Sequence, residues 1–119
     1  MSTVLERAKN DYASKVAAGM RSYAVEEWPD DDGVATVVYW RPATLKERDQ
    51  IYRVTTGAPT LAGLVETLIV RARNEDGTPM FRQVERGELM RSVDGSVITR
   101  IVQAMNDSDG QDIESVKNS

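Results

Sequence analysis

The sequence predicts an α+β fold that is mainly helical, and three observations predict it. Aliphatic residues recur at helical spacing along most of the chain. Only residues 21–41 have the β-branched and aromatic character of strands, and Gly, Pro and Asp clusters cut the chain into short elements. The expected architecture is an N-terminal helix, one β-hairpin over about 21–41, a small body of about four helices, and an acidic C-terminal tail that is disordered. A chain of 119 residues has room for one domain, placed at 1–106 with the tail at 107–119.

The first element opens with Thr3-Val-Leu-Glu6, which has capping-box spacing, and Leu5, Ala8, Tyr12 and Val16 follow at helical intervals to Gly19. A helix over 3–18 is predicted. Next, RSYAVEEW and VATVVYWR flank Pro-Asp-Asp-Asp-Gly, with Asp32-Gly33 supplying positions that tolerate positive φ in a tight hairpin turn. A cation loop is the sharper reading of Asp30-Asp31-Asp32-Gly33. It is the poorer one, because calcium loops place acids at alternating positions so that their oxygens converge.

Pro42 ends the second strand, and Thr44-Leu-Lys-Glu47 repeats the capping-box spacing ahead of Leu45, Ile51 and Tyr52, a helix expected to stop near Thr56-Gly57. After Pro59 the chain carries its best periodic signal: Leu61, Leu64, Val65, Leu68, Ile69 and Ala72 share one helical face from about 60 to 73. Asn74-Glu75-Asp76-Gly77-Thr78-Pro79 is a dense turn, and Met80-Phe81 is an apolar pair expected to plug the core. Residues 84–92 read as a short helix with Val84, Leu89 and Met90 inward. Asp94 is placed as the N-cap of a last helix over 95–106 with Val97, Ile98, Ile101, Val102 and Met105 inward.

Composition excludes much chemistry. The chain has no Cys and no His, which removes disulfides, thiolate or imidazole metal sites, and Ser–His or Cys–His couples. It also lacks GxGxxG and GxxxxGK[ST] loops, so no cofactor is expected. Glu26-Glu27 and Glu85 with Glu88 are the nominal carboxylate pairs, but their expected neighbours are charged or solvated, and neither pair has the apolar surroundings that acid–base work needs. Of the net charge of −4, the tail carries −3, leaving a nearly neutral body. That balance disfavours nucleic acid and anionic membrane surfaces as partners. The first ten residues lack an apolar run, and no stretch is long enough to span a bilayer, so a cytosolic protein is expected.

What remains is aliphatic surface. The helices at 60–73 and 95–106 carry stripes that either pack on each other as core or leave a groove for a partner's amphipathic helix, with Met80, Met90 and Met105 nearby as adaptable contacts.

The order of segments carries a resemblance. Val38-Tyr39-Trp40-Arg41-Pro42-Ala43-Thr44 leads into a charged helix with Arg48-Asp49. An apolar helix then ends in Glu75-Asp76-Gly77-Thr78-Pro79-Met80-Phe81, followed by Leu89 and a closing Val97/Ile98/Ile101 helix. Over about residues 35–106 this resembles the tail assembly chaperones of long-tailed bacteriophages. The resemblance implies a non-catalytic protein of the host cytoplasm, absent from the mature virion, that binds the tape measure protein, keeps it soluble and helps recruit tail-tube subunits. The tape measure protein is the implied partner, with the major tail (tube) protein and self-association beside it. Candidate contact residues are Leu64, Leu68, Phe81, Met90, Ile101 and Met105. The resemblance also implies a longer product made by ribosomal frameshifting, and Val116-Lys117-Asn118 is compatible with codons containing a slippery A-AAA-AAC run. The rival readings are a structural phage protein, such as a head–tail connector or minor tail subunit, and a small carboxylate-dependent enzyme.

Overall fold

The computed structural model describes residues 3–55 and 61–118, with no side chain described at Thr55 or beyond Ser108. The elements follow the expected order: α1 (Val4–Ala17), β1 (Arg21–Pro29), β2 (Ala35–Trp40), α2 (Leu45–Thr55), α3 (Leu61–Arg71), a 3-10 turn (Gln83–Glu85), α4 (Arg86–Ser92) and α5 (Gly95–Asn118). The mainly helical α+β architecture with one hairpin is therefore the one the sequence predicts.

Local chemistry sets most element ends. Thr3 caps α1 by accepting from the Glu6 amide at 3.1 Å. At α2 the capping box is complete: Thr44 Oγ1 accepts from the Glu47 amide, and Glu47 Oε1 accepts from the Thr44 amide at 2.9 Å. Asp94 Oδ1 accepts from the Ser96 amide and hydroxyl at the head of α5, and these bonds hold its carboxyl below the usual carboxylate range. The end of α2 expected near Thr56-Gly57 lies outside the described residues.

β1 and β2 pair antiparallel from Arg21 opposite Trp40 to Val25 opposite Thr36. Asp30 organises the turn: its Oδ1 accepts from the amides of Asp32 and Val34, and Gly33 takes φ +80°. Beyond Val25 the register breaks, with Pro29 next to pair, opposite Ala35. The extra residues bulge out of β1, and Thr36 Oγ1 donates to Trp28 O at its base. The bulge sends Trp28 against Phe81, ring edge to ring face with centroids 6.3 Å apart. The 74–79 turn runs beside the free side of β2. Tyr39 and Arg73 exchange both backbone hydrogen bonds, at 3.0 and 2.7 Å, and Gly77 takes φ +88°.

The core gathers Val25, Val38 and Trp40 of the hairpin, the inner face of α3, Leu89 of α4, and Val97, Ile98, Ile101, Val102 and Met105 of α5. Met80 and Phe81 pack against it half-buried, as the expected plug. α3 is its centre. Val65, Glu66, Thr67, Leu68 and Ile69 are all buried, and five consecutive helical residues turn through more than a full circle. α2, α4 and α5 all contact it.

Some expected faces turn out otherwise. Val84 and Met90 are 79% and 49% exposed, not inward. With Leu89 pointing into the core, Met90 lies about 100° around α4 from it, and Val84 sits in the 3-10 turn ahead of that helix. Leu45 and Leu61 are likewise exposed, each at the first turn of its helix, ahead of the covered stretch. α1 buries no residue; Tyr12 fastens it by donating from its hydroxyl to Pro42 O at 3.0 Å. α5 passes residue 106, where the sequence pattern stops, and Ser108 is buried. Its Oγ accepts from Trp40 Nε1 and donates to Met105 O, both at 3.0 Å, so the core reaches two residues into the expected tail. Beyond Ser108 the expected tail has no described side chain.

Ser108→Ala would leave the buried Trp40 N–H without its acceptor, and denaturant unfolding is expected to show a loss of about 1–3 kcal/mol. No measurable loss would mean that α5 does not hold the hairpin at this point.

Candidate partner-binding surface

The six residues nominated from sequence fall into two groups. Leu68, Ile101 and Met105 have no exposed surface and form the α3–α5 contact. In the closed domain they reach nothing outside it. Leu64 and Phe81 are half-buried at the margin of the core, and Met90 stands out on α4. Among the described residues the large exposed apolar side chains are Met90 on α4, Val84 in the 3-10 turn, Leu45 and Tyr52 on α2, Leu61 at the start of α3, Val4 and Leu5 on α1, and Val34 on the hairpin.

α2, α3 and α4 converge on a carboxylate that sequence reasoning did not single out. Glu66, 2% exposed, accepts from Gln50 Nε2 of α2 at 2.9 Å and from Gln83 Nε2 of the 3-10 turn at 3.1 Å. Arg86 of α4 pairs with its second oxygen and also donates to Gln83 Oε1 at 2.8 Å. A lone acid in LVETLIV was the available signal: an ionised side chain on an otherwise apolar helix must be paired or must face water. A second polar contact fastens α2 farther along. Glu47 Oε2 lies 3.5 Å from Arg73 and 4.0 Å from Arg41.

The concavities are shallow. One of about 450 Å³ lies between the end of α1 and the 73–77 turn, lined by Val16, Met20, Tyr39, Arg41, Arg73 and Asp76 among others. The Asp76 carboxylate is already engaged by the Thr78 hydroxyl and amide, at 2.6 and 3.0 Å, which keeps its pKa low. An acid–base catalyst needs the opposite shift. The nominated pairs do not act as pairs either: Glu27 is bound to Arg100, Glu85 to the Arg82 amide at 2.8 Å, and Glu88 to Arg91 at 3.0 Å. Among the described residues no group of three or more His, Cys, Asp or Glu is placed to hold a metal ion, and no helix is long and apolar enough to cross a membrane.

No family model matches the sequence, and no curated protein is similar to it. Solved structures give a different result. The structure of the bacteriophage HK97 tail assembly chaperone superposes with a TM-score of 0.51, covering 79% of this chain and 92% of that one at 16% identity. The chain has the fold of a phage tail assembly chaperone. At this identity the likeness is one of fold, and it spans nearly the whole of the HK97 protein, so the shared unit is the complete domain and not a common hairpin or helix pair.

The two groups of nominated residues separate on substitution. Met90→Lys is expected to change unfolding stability by no more than about 0.5 kcal/mol, whereas Ile101→Ala is expected to cost about 2–5 kcal/mol. Equal costs would place Met90 in the core.

Proposed function

We propose that the protein is a bacteriophage tail assembly chaperone that binds the tape measure protein, keeps it soluble and helps recruit tail-tube subunits around it. The observation that carries this reading is the agreement of fold with the HK97 tail assembly chaperone over nearly the whole of that protein. The segment order read from the sequence points the same way independently.

The surface chemistry is consistent with the role. A tape measure protein presents long apolar helix faces that aggregate in water, and a small domain can cover them in helix-in-groove fashion. The contacts must be weak enough for tube subunits to displace the chaperone. Exposed apolar side chains distributed over α2, α3 and α4 suit such contacts better than one deep pocket would. The protein acts without catalysis, by reversible burial of a client's surface. It works in the host cytoplasm and is left out of the mature virion, and a longer frameshifted product accompanies it.

Co-expression with the tape measure protein of the same genome tests the proposal. The tape measure protein is expected to move into the soluble fraction and to co-purify with this chain. An insoluble tape measure protein with no co-purification would overturn the reading, and detection of the chain in purified virions would favour a structural tail subunit instead.

A further inference from the structure

α2 lies on α3 without burying any described side chain of its own. Ile51 and Val54 are half-covered, and Leu45 and Tyr52 face outward. The strip beneath is made of small residues: Thr67 borders the same cavity as Ile51 and Tyr52, and Gly63 lies one turn before it, its carbonyl accepting from Thr67 Oγ1 at 2.8 Å. The docking combines the half-covered Ile51 and Val54 with polar contacts. Gln50 donates to Glu66, and Glu47 faces Arg73 and Arg41; Arg48 and Tyr52 have partners of their own.

Those polar contacts are unevenly matched. Two guanidinium groups share the Glu47 carboxylate at 3.5 and 4.0 Å, and the Nε atoms of Arg41 and Arg73 are buried with no acceptor. Buried donors without acceptors weaken the arrangement that leaves them so. The helix itself has 11 residues, below the length at which an isolated helix holds together in water. Undocking therefore releases a segment that frays, and it takes no fully buried described side chain of α2 out of the core.

We propose that α2 is a displaceable cover, and that the strip it leaves on α3, around Gly63, Glu66 and Thr67, receives an amphipathic helix from a client. α2 itself shows what fits. The incoming helix carries a carboxylate for Arg73 and Arg41, a hydrogen-bond donor one turn later for Glu66, and an aliphatic residue next to that donor, the pattern of Glu47, Gln50 and Ile51. Use of the strip by a client rests on the chaperone reading; the release of α2 does not.

Hydrogen exchange on the full chain, followed amide by amide, tests the release. The α2 amides are expected to exchange by local opening at least roughly tenfold faster than those of α3 and α5. Gln50→Ala, at an exposed position, is expected to speed α2 exchange by a further factor of about five while leaving α5 unchanged. Exchange of α2 at the rate of α5 in both proteins would overturn the proposal.

The strip is tested by titrating the full chain with a synthetic peptide of residues 44–55, the α2 sequence itself. Amide shifts centred on Gly63, Glu66 and Thr67, with tighter binding to Gln50→Ala than to the unsubstituted chain, are expected. No shift at these amides in either protein would overturn docking at the strip. Both results would stand if the tape measure protein failed to co-purify, in which case the chaperone reading falls and the displaceable helix remains.

Discussion

A single buried carboxylate sets much of the arrangement of this domain. Over residues 65–69 α3 is buried on all sides, so a polar side chain there must be answered by a neighbour, and Glu66 is answered from two directions, by Gln50 of α2 and by Gln83 and Arg86 at the head of α4. Apolar contact joins α3, α5 and the hairpin into the core. At Glu66 polar pairing adds α2 and α4 to it; α4 also contributes Leu89 to the core, whereas α2 buries no described side chain against it. The domain thus has an aliphatic centre and a more polar side. On the proposed chaperone role, a client bound on that side would leave Leu68, Ile101 and Met105 covered.

The same division explains how charge is used. Most acidic side chains with described partners are occupied by arginines or by helix and turn amides: Glu27 by Arg100, Glu88 by Arg91, Asp94 by Ser96 and Asp76 by Thr78. These pairings close the body without a concentrated field of either sign. Among the described residues they leave no desolvated carboxylate pair of the kind that acid–base chemistry requires, Glu66 being single and satisfied.

What was legible in the sequence was local. Thr3, Thr44 and Asp94 mark helix starts because capping depends on residues within a single turn, and Asp30 to Gly33 mark the hairpin turn for the same reason. The α3 stripe is legible because its period is unambiguous. The bulge at Glu26 to Trp28 was not, since it depends on Trp28 meeting Phe81 more than fifty residues away. Nor was the reach of the core to Ser108, which is fixed by Trp40 across the fold and sits where the aliphatic period has already ended. The candidate site was half legible. A core stripe and a binding stripe share one periodicity, so Leu68, Ile101 and Met105 could not be told from Met90 until tertiary contacts separated them. Glu66 announced itself only as an acid out of place, and its partners lie 16, 17 and 20 residues away along the chain.

The most direct test of the account is a double-mutant cycle on Glu66 and Arg86, using Glu66→Ala, Arg86→Ala and the double variant in equilibrium denaturation. If the buried carboxylate fastens α4 to α3, the two substitutions are coupled by about 1–3 kcal/mol, the double variant losing less than the two single losses together. Additivity to within about 0.5 kcal/mol would contradict the central claim, because it would mean that the pair does not act as one.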